Sequence, residues 1–210
     1  MKQLDSDAGR EKIMEVHNMG LGWLQYVPEW TVNQDMMVAL ASSYSQDEKS
    51  LVVGTRKILI SVESIVRCFG LPNHGNSFKS PETAVEHRLV NSFIGKTQAD
   101  LKIDVITCSM QSDVDRMNFR RQFIMLIAKC FFFPSPKATV LDIHIRAAID
   151  VSNPKKMYWA RYIYDFLIEG VLRFQDVGKK TVDGCMFALL IIYLHANKHG
   201  DLGRYNGREP

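Results

Sequence analysis

The run Cys185-Met186-Phe187-Ala188-Leu189-Leu190-Ile191-Ile192-Tyr193-Leu194 decides the fold class. It carries no charge, yet it is far shorter than the roughly 20 residues that span a bilayer. Apolar on every side, it predicts a helix from about Thr181 to Lys198 in the centre of a bundle. His195, Lys198 and His199 suit the negative end of that helix dipole, and Gly200 stops it. A second apolar run, Phe123–Phe133, is interrupted by Lys129 and is also read as a core helix.

Working outward, Asn153-Pro154 opens an amphipathic helix to about Phe174. Trp159, Ile163, Phe166, Leu167 and Phe174 form its apolar face. Arg161, Asp165, Glu169 and Arg173 recur every four residues on the wet face, where opposite charges support a helix. Further upstream, Ser112-x-x-Asp115 resembles a capping box at the start of a helix running to about Phe132. Val114, Met117, Phe123, Ile124, Ile127 and Phe131 follow helical spacing, with Arg116, Arg120 and Lys129 placed on the other side. Pro134 and Pro136 end it, and Lys137–Ile149 is a further amphipathic segment. Thr97 can cap a helix to about Cys108, and Pro81 suits the start of another over Glu82–Phe93.

The period changes in the first third. Leu51-Val52-Val53 and Lys57-Ile58-Leu59-Ile60 flank Gly54-Thr55-Arg56, which reads as a β-hairpin. Ser61 then caps a helix over Val62–Phe69, closed by Gly70-Leu71-Pro72. Arg10–Met19 is a short helix stopped by Gly20, and Thr31 or Asn33 caps another to about Tyr44. Between them, Gly22 and Pro28 break regular structure while Trp23, Tyr26 and Trp30 form an aromatic segment. The expected architecture is mostly α: one helical bundle-like domain over residues 10–200 with one small β-hairpin near residues 51–60. Residues 1–9 and 201–210 are expected to be flexible, and the polar loop near 73–80 is the one candidate boundary.

Composition agrees with a globular chain. Its 210 residues are 46% hydrophobic and 23% charged, and the net charge of +3 is too small to argue for nucleic acid by itself. Cys68, Cys108, Cys130 and Cys185 lie far apart with no CxxC pair, which points to buried free thiols in a reducing, intracellular setting. Asp5, Asp7, Glu11 and Glu15 in the first fifteen residues fit neither a secretory signal nor an Arg-rich transit peptide. The expected location is nucleus or cytoplasm, with organelle targeting left open.

The order of several short motifs resembles a plant-specific family. They are Val16-His17-Asn18-Met19-Gly20-Leu21-Gly22, then Phe69-Gly70-Leu71-Pro72, then Phe131-Phe132-Phe133-Pro134-Ser135. Tyr158-Trp159-Ala160 and Val182-Asp183-Gly184-Cys185 complete the series, which covers about residues 13–198. The chain resembles plant transposon-associated domains: the region upstream of ubiquitin-like-modifier protease domains, or plant mobile domains sometimes labelled aminotransferase-like. Tyr158 and Asp183 stand where the family pattern has Asn and Gly. The resemblance implies a helical domain in a gene of mobile-element descent. Protease activity is not carried over, because that module brings its own Cys and His. Nor is aminotransferase chemistry, which needs a Schiff-base lysine in a phosphate-binding fold.

Candidate chemistry is sparse. His195 and His199 are one turn apart, a metal-compatible spacing without further local ligands, so helix-end histidines are the simpler reading. Asp113/Asp115 and Asp142/Asp150 are carboxylate pairs that capping and solvated faces explain. No GxGxxG, P-loop, GxSxG or HExxH sequence occurs. No catalytic, metal or cofactor-binding residue is assigned, and no cofactor is expected.

Two surfaces are singled out. Trp23, Tyr26 and Trp30 are candidates for binding an unidentified protein partner. Lys155, Lys156 and Arg161, interleaved with aromatics, and Lys179-Lys180 are candidates for nucleic-acid contact. The functional expectation is a non-enzymatic protein–protein interaction domain derived from a plant mobile-element gene. The alternatives are a domesticated toxin or antidote factor in plant reproduction acting by binding, and a nucleic-acid-binding accessory protein.

Overall fold

Polar N-caps set five of the helix starts among the described residues. The computed structural model describes residues 7–27, 33–178 and 181–199. In chain order, α1 (Asp7–Asn18) is followed by a 3-10 turn at Gly22–Tyr26 and by α2 (Gln34–Ser42). The strands are β1 (Tyr44–Ser45), β2 (Ser50–Val53) and β3 (Arg56–Leu59). Next come α3 (Val62–Phe69), α4 (Ala84–Phe93), α5 (Gln98–Thr107) and α6 (Asp113–Ile127). A π-turn over Ala128–Phe132 prolongs α6, before α7 (Asp142–Ala147), α8 (Trp159–Val177) and α9 (Met186–His199). The chain is mostly helical with a small antiparallel sheet, as the sequence predicts. Helix α1 starts at Asp7, earlier than expected, while residues 1–6 and 200–210 lie outside the described residues.

The caps explain why the helices begin where they do. Ser61, Thr83, Thr97 and Ser112 each accept the amide of the third helical residue, and that residue's side chain bonds back. Gly70 ends α3 in the left-handed conformation at φ +63°, and the Leu71 amide reaches back to the Val66 carbonyl.

Two compact units are formed. The first comprises the described parts of residues 1–29 and 74–158. Its α5 and α6 form a helical hairpin, α1 packs on α6, and α7 packs on α6 and the π-turn. Phe119, Phe132, Phe133, Leu101, Ile124 and Met125 fill its core. Charges also enter it. The Lys12 ammonium donates to the Ile106 carbonyl at 2.6 Å, and Glu15 pairs with Arg120, which also donates to the Val151 and Ser152 carbonyls. The side of α6 opposite its apolar stripe is thus not left open: α1 covers Arg120 and the loop after Pro134 covers Lys129. The expected start of α8 at Asn153 is corrected too. Pro154–Lys156 is a 3-10 turn, and Met157 then pairs with Asn76 as an isolated β-bridge, which interrupts helical hydrogen bonding. Helix α4 is anchored mainly by Phe93, its one fully buried residue.

The second unit comprises the described parts of residues 30–73 and 159–210. Its sheet has the order β1-β2-β3, with Leu51 opposite Ile58 and Val52 opposite Lys57. Leu51 and Ile58 are buried, so one face of the hairpin looks inward. Strand β1 extends the expected hairpin to three strands. Helices α2 and α3 pack against both α8 and α9. On α8, Arg161 pairs with Asp165 at 2.7 Å and Arg173 with Glu169 at 3.7 Å, the spacing read from the sequence. The lead-in to α9 crosses α8 so closely that a Cβ on Gly170 would sit 2.3 Å from the Asp183 carbonyl oxygen. A Cβ on Gly184 would sit 2.7 Å from the Leu167 Cα. Helix α9 is buried along most of its length, but Leu194 and His195 are exposed, so its burial is not complete all round.

Candidate functional site

The π-turn builds the first site. An i to i+5 bond, from the Phe133 amide to the Ala128 carbonyl at 2.8 Å, replaces α-helical pairing there. Such insertions re-aim side chains and recur at functional sites. Here Lys129 is turned inward. Its side chain is 6% exposed, its ammonium donates to the Lys137 carbonyl, and it has no ion-pair partner among the described residues. Burial lowers the Lys129 pKa from its ordinary value. Lys129 lines a cavity of about 390 Å³ with Thr97, Ser135 and Lys137. The Ser135 hydroxyl oxygen is buried there without a hydrogen-bond partner among the described residues. No Asp or Glu is among the described residues of the lining.

Beneath the turn, His144 is fully buried and its ring stacks on Phe133 at 6.3 Å between centroids. Nδ1 accepts the Leu141 amide at 2.9 Å, so Nε2 must carry the proton and donate to the Phe133 carbonyl at 2.9 Å. Burial pushes the His144 pKa down to about 4; the Phe133 carbonyl opposes that, and the nearby Lys129 charge adds to it. This imidazole is neutral, with both nitrogens committed.

A second cavity, of about 330 Å³, lies in the other unit between α3 and α9. Ser64, Arg67, Cys68, Ile191, Ile192 and His195 line it. A thiol and an imidazole share this cleft, but burial pushes the Cys68 pKa up to about 12, which disfavours the thiolate that attacks or ligates. The Ser64 hydroxyl is held by the Leu59 carbonyl at 3.2 Å. Cys185 is likewise pushed up to about 12 by burial. Among the described residues, no group of three or more His, Cys, Asp or Glu could hold a metal ion, and no helix is long and apolar enough to cross a membrane.

A family model, described as a domain of unknown function, matches residues 1–190. The chain belongs to the DUF8566 family. No curated protein and no solved structure gives a match. The π-turn cavity falls wholly inside the DUF8566 match, whereas Ile191, Ile192 and His195 of the α3–α9 cleft fall beyond it.

The residues singled out from the DUF8566 sequence are scattered. Trp23 is half-buried and packs against Phe131 and Phe132, with ring centroids 6.0 and 6.3 Å apart. Tyr26 is 79% exposed, and Trp30 lies outside the described residues. Lys155 and Lys156 are exposed on the 3-10 turn and have no ion-pair partner among the described residues. Arg161 is engaged by Asp165, the neighbouring Trp159 is buried in the core, and Lys179 and Lys180 lie outside the described residues. The His199 side chain also lies outside the description, which leaves the His195/His199 pair unplaced. Sequence reasoning missed Lys129 as a site residue. Its signal was a single cation within the Phe123–Phe133 run, immediately before two prolines that bend the chain back over it.

Proposed function

We propose that this DUF8566 domain is a non-enzymatic protein–protein interaction module, carried by a gene of plant mobile-element descent and acting in the nucleus or cytoplasm. The observation that supports it is the outer face of α5. Ile103 and Ile106, adjacent on that helix, are 59% and 44% exposed, while Leu101 and Val105 fill the core. Exposed Val85, Ile94 and Val114 belong to the same α4–α6 stretch. Neighbouring exposed apolar side chains on one helix face, as Ile103 and Ile106 are, suit an interaction surface. The exposed Lys102 beside Ile103 favours one kind of occupant, an amphipathic helix with an acidic flank.

The test compares proximity labelling in plant tissue by the wild-type chain and by an Ile103→Glu/Ile106→Glu variant of equal thermal stability. A discrete set of proteins lost with the variant, one of them supplying a helix that binds the purified domain, supports the reading. Identical labelling by both proteins defeats it, as does self-association that accounts for the same face.

Nucleic-acid binding is the second reading, favoured by the exposure of Lys155 and Lys156 without ion pairs among the described residues. It requires affinity that falls steeply with salt, weakened in a Lys155→Ala/Lys156→Ala variant.

A further inference from the structure

We propose that the π-turn cavity is a binding site for a phosphoryl group on a small molecule. A buried ammonium without a carboxylate is a costly arrangement, because desolvation works against the charged form. Such a group is relieved by an anion that enters from solvent. Lys129 meets that description: it is 6% exposed and, among the described residues, its ammonium bonds only to the Lys137 carbonyl, which leaves donors over. The Ser135 hydroxyl, buried on the same cavity without a partner among the described residues, supplies a second donor.

The remaining wall adds to the same sign. Thr97, Gln98 and Ala99 are the cap and first two residues of α5. Thr97 Oγ1 takes the Asp100 amide, while the Gln98 and Ala99 amides have no acceptor within the helix itself. Lys137 lines the wall, and the charges of Lys102 and Lys129 both act on the Cys130 thiol that also lines it. Asp100, the third residue of α5, has its carboxylate held by the Thr97 amide and hydroxyl, at 2.8 and 2.7 Å. A tetrahedral oxyanion takes more donors than a planar carboxylate does, and this wall is lined by residues that carry an ammonium, a hydroxyl and helix-start amides. A volume of about 390 Å³ leaves room for more than the bare anion, hence a phosphomonoester.

The test uses the whole chain, titrated with inorganic phosphate and glycerol 2-phosphate, with acetate and chloride as controls at matched ionic strength. Thermal unfolding and amide NMR shifts are the readouts. Saturable binding is expected for both phosphates, with glycerol 2-phosphate the tighter and the Gln98 and Ala99 amides among the shifted signals. Lys129→Met should weaken binding roughly 10- to 100-fold, the value of one charge-assisted hydrogen bond. Because that variant removes a buried charge, its midpoint without ligand should match or exceed the wild type. Ser135→Ala, a small change on the cavity wall, should weaken binding severalfold and serves if Lys129→Met does not fold. Equal affinity in wild type and Ser135→Ala together with unshifted α5 amides, or acetate binding as tightly as phosphate, overturns the assignment. A purely structural Lys129 would leave phosphate affinity unchanged.

Discussion

Lowering the pH from 7.5 to 5 should destabilise this protein through one residue, His144. In the folded chain its pKa lies near 4, while in the unfolded chain it returns to about 6.5. The folded value is depressed, so the associated stability is fully present above pH 6.5 and is lost as pH falls towards 4. The cause is burial, which denies the charged ring its hydration, and protonation at Nδ1 would besides aim a proton at the Leu141 amide. The full loss is about 3 kcal/mol, and about 2 kcal/mol of it is reached by pH 5. With a urea slope near 2 kcal/mol per molar for a chain of this size, the midpoint should fall by roughly 1 M. The control is His144→Gln, which keeps a polar side chain but cannot titrate. Carboxylates held below their usual range, such as Asp150 beside Ser152, contribute equally to both proteins and cancel in the difference. Urea unfolding at both pH values, together with an NMR titration of the ring, measures the effect. A ring midpoint near 6.5 in the folded protein, or the same pH dependence in His144→Gln, would refute the reasoning.

Gly170→Ala places a methyl group against the Asp183 carbonyl and should cost about 1–3 kcal/mol, seen as a melting point several degrees lower. Arg120→Met leaves the Glu15 carboxylate buried without its partner and should cost about 3–5 kcal/mol, much of it recovered in the Glu15→Gln/Arg120→Met double variant; a double-mutant cycle in urea measures the coupling. Ser112→Ala removes one half of the α6 capping box and should cost about 1 kcal/mol by thermal unfolding, with no change in phosphate affinity.

Local hydrogen bonding made much of the fold legible. Ser61, Thr97 and Ser112 could be read as caps because donor and acceptor lie within one turn, and Gly70 because only a residue without Cβ adopts its backbone angle cheaply. Strand β1 was hidden, since two residues carry no period and Tyr44 is a strand only through Leu51. The α8 start was misplaced because Met157 is drawn into a bridge by Asn76, some eighty positions away. The candidate site was the least visible. Helical periodicity placed Lys129 on the side away from the apolar stripe, and the extra residue in the π-turn, with the chain returning after Pro136, encloses it. Lys12 and Glu15 were concealed in the same way, their partners being carbonyls and charges more than ninety residues distant.

Helix α9 poses a question that its own composition cannot answer. Over Met186–Leu194 the rod is about equally greasy on all sides, so that stretch has no preferred rotational phase, and sliding by a fraction of a turn would leave its water avoidance nearly unchanged. Something outside the rod must therefore key its orientation. Two fasteners do so: the Asp183-Gly184 lead-in, seated where α8 presents Gly170 and the Leu167 backbone, and Arg56 of β3, which reaches Asn197 at 3.4 Å near the far end. Azimuthal alignment of the most hydrophobic element thus depends on two missing methyl groups and one amide.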